Sequence, residues 1–158
     1  MTAMTVKLSS HSEPETLALA ARLARRLRGG EVICLEGPLG AGKTCFVRGL
    51  AAGLGLDASA VCSPSFVICR QHTNHAPLGL FHIDAFRLSG PQDLDAIGWD
   101  ELLEATDSVV AVEWPSRIEA ALPEHRIDIV MEHTGLRSRL ITLRAPPALA
   151  AVWEDSGE

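Results

Sequence analysis

The chain has 158 residues, 47% of them hydrophobic, and a formal net charge of −6. Its length and apolar content suit one domain with a substantial core, and its acidic balance disfavours a protein that grips RNA or DNA unaided. The apolar runs are short and broken by charges, and the opening MTAMTVKLSSHSEPE has no basic segment leading into an apolar one, so a soluble, unexported protein is expected.

In chain order, VKL around Val6 is a short strand. A helix follows between Ser12 and the pair Gly29 and Gly30, with Ser12 and Glu15 forming an S-x-x-E capping box. Leu19, Ala20, Leu23, Ala24 and Leu27 recur at helical spacing as its core face, and Arg22, Arg25 and Arg26 point outward. EVICLE, 31–36, has strand length, and TCFVRGLAAGL, 44–54, is helical, with a glycine-rich turn between them. PSFVICRQH and LGLFHIDAFRL read as an antiparallel hairpin across TNHAP. GPQDLDAIGWDELLEA is a short helical region interrupted at Gly98, and SVVAVEW is a buried strand of parallel-sheet character. Pro115 starts a further helix to about Leu122. HRIDIVMEH and SRLITLRA alternate as an antiparallel pair with one wet face. The expected architecture is a three-layer α/β domain of the P-loop NTPase type with a mixed parallel and antiparallel sheet, spanning 1–145, with a loosely held tail at 146–158.

The turn carries the chemistry. Gly37, Gly42, Lys43 and Thr44 complete G-x-x-x-x-G-K-[ST] between a strand and a helix, where that motif must lie. Such a loop turns backbone N–H groups toward a β-phosphate, adds the positive end of the helix dipole, spans β and γ oxygens with the lysine and offers the threonine hydroxyl to Mg²⁺. ATP binding is therefore expected at Gly37, Leu39, Gly40, Ala41, Gly42, Lys43 and Thr44. Two apolar strands end in carboxylates, Asp84 and Glu113, and either could reach the Mg²⁺ shell or an attacking water. No NKxD tetrapeptide is present to read guanine, and Asp95 and Gly98 of DAIG spell D-x-x-G away from a strand end, so ATP is favoured over GTP. Of the six histidines, His72 and His75 approach a ligand spacing, but no second cluster completes a metal site and a surface loop is expected. Cys34, Cys45, Cys62 and Cys69 form no CxxC pair, which fits a reducing cytoplasm.

GPLGAGKT, then SPSF at 63–66, HIDAFRL at 82–88 and VEWP at 112–115 resemble, in order, the motifs of the bacterial TsaE family, formerly YjeE. The resemblance runs from the first helix to the final hairpin. It implies an ATPase needed to make threonylcarbamoyladenosine in tRNA, acting on the TsaB and TsaD pair and meeting tRNA only through them. It further implies that Lys43 binds phosphates, that Thr44 ligates Mg²⁺, and that Glu113 completes or organises the metal and water site with Asp84 as the other acidic partner. It adds Ser65 and Trp114 to the ATP site and points to 9–12 and 113–117 for the adenine pocket. Ser65 stands where the family has threonine. Phe86 stands where it commonly has tyrosine, which leaves core packing as the simple role for that ring.

Two other readings stand beside this one. A small-molecule kinase could use the same loop, although the segments 71–78 and 90–98 contain no arginine to serve as a lid over an acceptor. A nucleotide-dependent docking module, whose hydrolysis is incidental, is the other.

Overall fold

The computed structural model describes residues 2–62, 69–73 and 76–154. Among these, seven strands form one sheet: β1 (Met4–Ser10), β2 (Val32–Glu36), β3 (Cys69–His72), β4 (Gly79–Asp84), β5 (Ser108–Glu113), β6 (Ile127–His133) and β7 (Arg139–Ala145), in the spatial order β1-β7-β6-β2-β5-β4-β3. β2 lies parallel to both β5 and β6, and β4 parallel to β5; β3, β7 and β1 join antiparallel. The mixed α/β sheet matches the expected class.

Period-two alternation explains why the central strands read as unbroken apolar runs. In β2, Ile33 and Leu35 face one core, with Val109, Ala111 and Leu80 beside them, while Val32 and Cys34 face a second with Ile83, Val110 and Val112. The first core is covered by helices α1 (Glu13–Ala24) and α2 (Lys43–Gly53), the second by Leu94, by Trp99 at the start of α3 (Trp99–Glu104) and by Ile118, all from helical segments that follow β4 and β5. Burial pushes the Cys34 thiol up to about 12, so it behaves as a small apolar residue.

Ser12 caps α1 as expected, its Oγ accepting from the Glu15 N–H at 3.2 Å. The reciprocal half of the box is displaced by one residue, because the Glu15 carboxylate accepts from the N–H of His11 instead of that of Ser12. α1 ends at Ala24, short of the glycine pair; the N–H groups of Arg25, Arg26 and Leu27 still donate to its last carbonyls, and those of Arg28 and Gly29 turn to the Glu31 carboxylate. α2 meets α1 at very short range. A Cβ on Gly49 would lie 2.6 Å from both Ala20 Cβ and the Leu17 carbonyl, and one on Gly53 would lie 2.5 Å from the Ala21 carbonyl. Gly49→Ala is therefore expected to destabilise the fold by about 1–3 kcal/mol through overpacking, a loss that urea denaturation measures directly.

Two expectations are corrected. The tail is not loose over 147–154: it forms α4 (Pro147–Glu154), with Ala150 and Trp153 fully buried. The Trp153 ring meets Phe46 edge-on at 6.1 Å, and its indole N–H donates to the Leu19 carbonyl at 3.0 Å. A tryptophan this large orders the segment by the apolar area that it removes from water. Arg22 is the second case. Its guanidinium is not free on a solvated face but donates to the Val152 carbonyl at 2.7 Å, in the last turn of α4, while Arg25 and Arg26 are exposed. Among the described residues, no helix is long and apolar enough to cross a membrane.

Candidate functional site

The loop 37–44 crosses from the end of β2 to the start of α2 beside the end of β6. A Cβ on Gly37 would come within 2.5 Å of the Met131 carbonyl, so only glycine lets the loop pass β6 this closely. Gly42 is the N-cap of α2 at φ 101°, a left-handed conformation, and has no side chain to cap the helix. The first amides of α2 are thus left to an external acceptor. Leu39 stands exposed at the apex, Gly40 turns at φ 77°, and Ala41 is buried beneath it.

Lys43 is folded back over this loop and only 5% exposed. Its ammonium donates to the Gly37 carbonyl and, at 3.4 Å, to that of Pro38, and it lies 3.6 Å from the centroid of the Trp114 ring. Burial holds the lysine below its ordinary range, against the opposing pull of Glu113, Glu36 and Asp84.

Thr44 Oγ1 lies 3.3 Å from each carboxylate oxygen of Glu113 and donates to that group. Glu113, 4% exposed, ends β5 and pairs in register with Leu35 of β2 on one side and Asp84 of β4 on the other. Adjacent strands run about 4.8 Å apart, so both predicted carboxylates stand at the same end of the sheet. Their environments differ. Asp84 is partly exposed, and one of its oxygens accepts the Phe86 N–H at 2.9 Å. The Glu113 carboxylate instead meets Thr44 and, at 2.5 Å, Nε2 of the fully buried His82. The oxygens of Thr44 and Glu113 form a small donor set suited to a hard divalent cation such as Mg²⁺, which keeps most of its shell for water and phosphate. Among the described residues, no group of three or more His, Cys, Asp or Glu could hold a metal.

Trp114 is neither an ordinary core aromatic nor in ordinary backbone geometry. Among the described residues it is the one non-glycine at positive φ (59°), and its N–H reaches the Leu35 carbonyl at 3.3 Å. That turn, immediately after Glu113, brings the indole over Lys43. Phe86 packs against it at 5.0 Å between centroids, 48% exposed, with the Arg117 guanidinium 5.4 Å from the centroid of the Phe86 ring. The expected core role of Phe86 is therefore corrected: it is a half-exposed wall of the site. Cys45 Sγ approaches the Glu13 carbonyl at 3.9 Å, which brings the start of α1, next to 9–12, beside the start of α2. Ser65 and His75 lie outside the described residues.

Sequence reasoning missed two residues. His82 carried a usable signal, since it lies two positions before Asp84 on the same face of a strand. Arg139, which bonds carbonyls of the 37–44 loop, carried none, because its contacts cross most of the chain.

A family model described as threonylcarbamoyl adenosine biosynthesis protein TsaE matches residues 10–141. The chain belongs to the TsaE family. It is 40% identical to the TsaE of Bacillus subtilis over 131 residues, covering 83% of this chain and 80% of that one, and 37% identical to that of Treponema pallidum over 134 residues, covering 85% and 96%. Over 114 residues it is 46% identical to the TsaE of Streptomyces coelicolor, covering 69% and 73%. Each of these relatives is named a tRNA threonylcarbamoyladenosine biosynthesis protein. The crystal structure of Bacillus subtilis YdiB superposes with a TM-score of 0.77 at 33% identity, over 98% of this TsaE-family chain and 95% of YdiB.

Proposed function

We propose that this TsaE-family chain takes part in threonylcarbamoyladenosine formation in tRNA as a Mg²⁺-dependent ATPase, in the cytoplasm, supporting repeated turnover by proteins of the TsaB and TsaD type. The observation that carries the reading is the contact of Thr44 with Glu113 at the N-terminus of α2, beside Lys43 held against the ring of the next residue, Trp114. Three groups suited to a polyphosphate, a metal and a water converge there from positions 69 residues apart.

Thr44 and Glu113 would hold the Mg²⁺, with Asp84 in reserve one strand away; that ion supplies charge neutralisation for the phosphate oxygens. Lys43 exchanges its contacts with the Gly37 and Pro38 carbonyls for the phosphates, which compensate its buried charge better than two neutral acceptors. The amides at the start of α2 hold the β-phosphate. Glu113, oriented by His82, positions the attacking water. The indole of Trp114 and the ring of Phe86 close one side, and an acidic chain that acts through protein partners has no need of a basic surface.

The test is ATP hydrolysis by the purified chain, alone and with TsaB and TsaD of the same organism. Stimulation of about tenfold or more by the pair is expected. Phosphate transfer to a metabolite in place of water would replace this reading with a kinase. ATP binding and normal complex formation without stimulated hydrolysis would reduce it to a docking module.

A further inference from the structure

One side chain grips the 37–44 loop from outside and has no part in the reaction scheme above. Arg139 opens β7. Its Nε donates to the Ala41 carbonyl at 3.0 Å and its Nη2 to the Gly40 carbonyl at 3.2 Å, while Nη1 donates to the carbonyls of Ser138 at 2.9 Å and Gly135 at 3.4 Å. The guanidinium thereby ties the apex of the loop to the turn between β6 and β7. Every one of these acceptors is a backbone carbonyl. Among the described residues, the ion pairs are His82 with Glu113 and Arg126 with Glu119 and Asp128, so no carboxylate neutralises Arg139.

The consequence follows from peptide geometry. A trans peptide plane sends its C=O and N–H in opposite directions. Carbonyls of Gly40 and Ala41 fixed toward Arg139 therefore fix the amides of Ala41 and Gly42 away from it. The Ala41 amide closes the turn on the Pro38 carbonyl at 3.1 Å. The Gly42 amide stands at the uncapped start of α2, where its direction determines what that helix end offers to an anion. With Gly40 at φ 77° and Gly42 at φ 101°, the loop itself has little stiffness to hold that direction.

We propose that Arg139 is a positioning residue for phosphate binding, holding the 37–44 loop through the Gly40 and Ala41 carbonyls in the shape that presents its amides to the β-phosphate of a nucleotide. The inference rests on the nucleotide reading above and assigns that binding a dependence on β7. A planar fork bonds both carbonyls at once, and neither lysine nor a neutral amide reproduces that span together with the charge.

The experiment is calorimetric titration of ADP into the full chain, its Arg139→Gln and Arg139→Lys variants and Lys43→Ala, with circular dichroism and thermal melting of each. ADP affinity is expected to fall about tenfold or more in Arg139→Gln, as for loss of a charge-assisted hydrogen bond, with only partial recovery in Arg139→Lys. In the partner-stimulated assay, the KM for ATP rises while kcat stays within about threefold, a split that general loss of folded protein does not produce. Unchanged ADP affinity in Arg139→Gln overturns the inference, as does full recovery in Arg139→Lys, which would make charge alone responsible. Parent protein that binds no ADP in a Lys43-dependent way overturns the nucleotide reading itself, and this inference with it.

Discussion

Lys43→Ala is expected to lower ATP hydrolysis by at least about a hundredfold, with an unchanged circular dichroism spectrum. The lysine is nearly buried, but it bonds only carbonyls of its own loop, its long-range contact is the face of the Trp114 ring, and it belongs to neither hydrophobic core, so the fold is expected to survive its loss. A folded variant with the parent rate would remove the site from the mechanism. The same substitution has a second, pH-dependent signature. Burial lowers the folded-state pKa of Lys43 below its ordinary 10.5, so between those two values the unfolded chain binds a proton that the folded protein has released. The contribution of Lys43 to stability therefore rises with pH across that window. Urea denaturation at stepped alkaline pH is expected to show a shallower rise in Lys43→Ala than in the parent. Polyphosphate beside Lys43 favours the ammonium form, so ADP binding in that window is expected to take up protons.

Glu113→Gln is expected to reduce kcat by about a hundredfold or more while leaving ADP affinity within a few fold. Glutamine keeps the volume and an oxygen for Thr44 and His82 but loses the charge that a cation or a water would need. Glu113→Ala adds a structural cost. It leaves Nε2 of the fully buried His82 without its partner, beside an Nδ1 that already has none, at about 1–3 kcal/mol. Comparing the two variants by steady-state kinetics and thermal melting separates the missing charge from the broken pair. Parent-like hydrolysis in Glu113→Gln would shift the role to Asp84, one strand away on the same end of the sheet.

Much of the site was legible because its parts are local. The strand, glycine turn and helix around 37–44 follow from spacing alone, as do the cap at Ser12 and the break at Gly98, which turns at φ 71°. The two strand-end carboxylates were visible as well, but not their different surroundings: the alternation that places Asp84 and Glu113 at strand ends is the same for both. The loose-tail reading failed for a related reason. PALAAVWE is apolar and short, and nothing within it reveals that Phe46 and the Leu19 carbonyl wait to receive Trp153.

The sequence by itself determined the α/β class, the position of the phosphate-type loop and the residue types available for chemistry, since these rest on periodicities and on glycine, serine and proline effects that act within a few bonds. The tertiary structure alone decided which groups meet. Pairing of Leu35 with Glu113 across β2 and β5 sets that carboxylate on Thr44; the left-handed turn at Trp114 lays its ring over Lys43; β7 carries Arg139 to the loop. Each is a contact between distant segments, fixed by strand order and register, and register is a property of the assembled sheet rather than of any one strand.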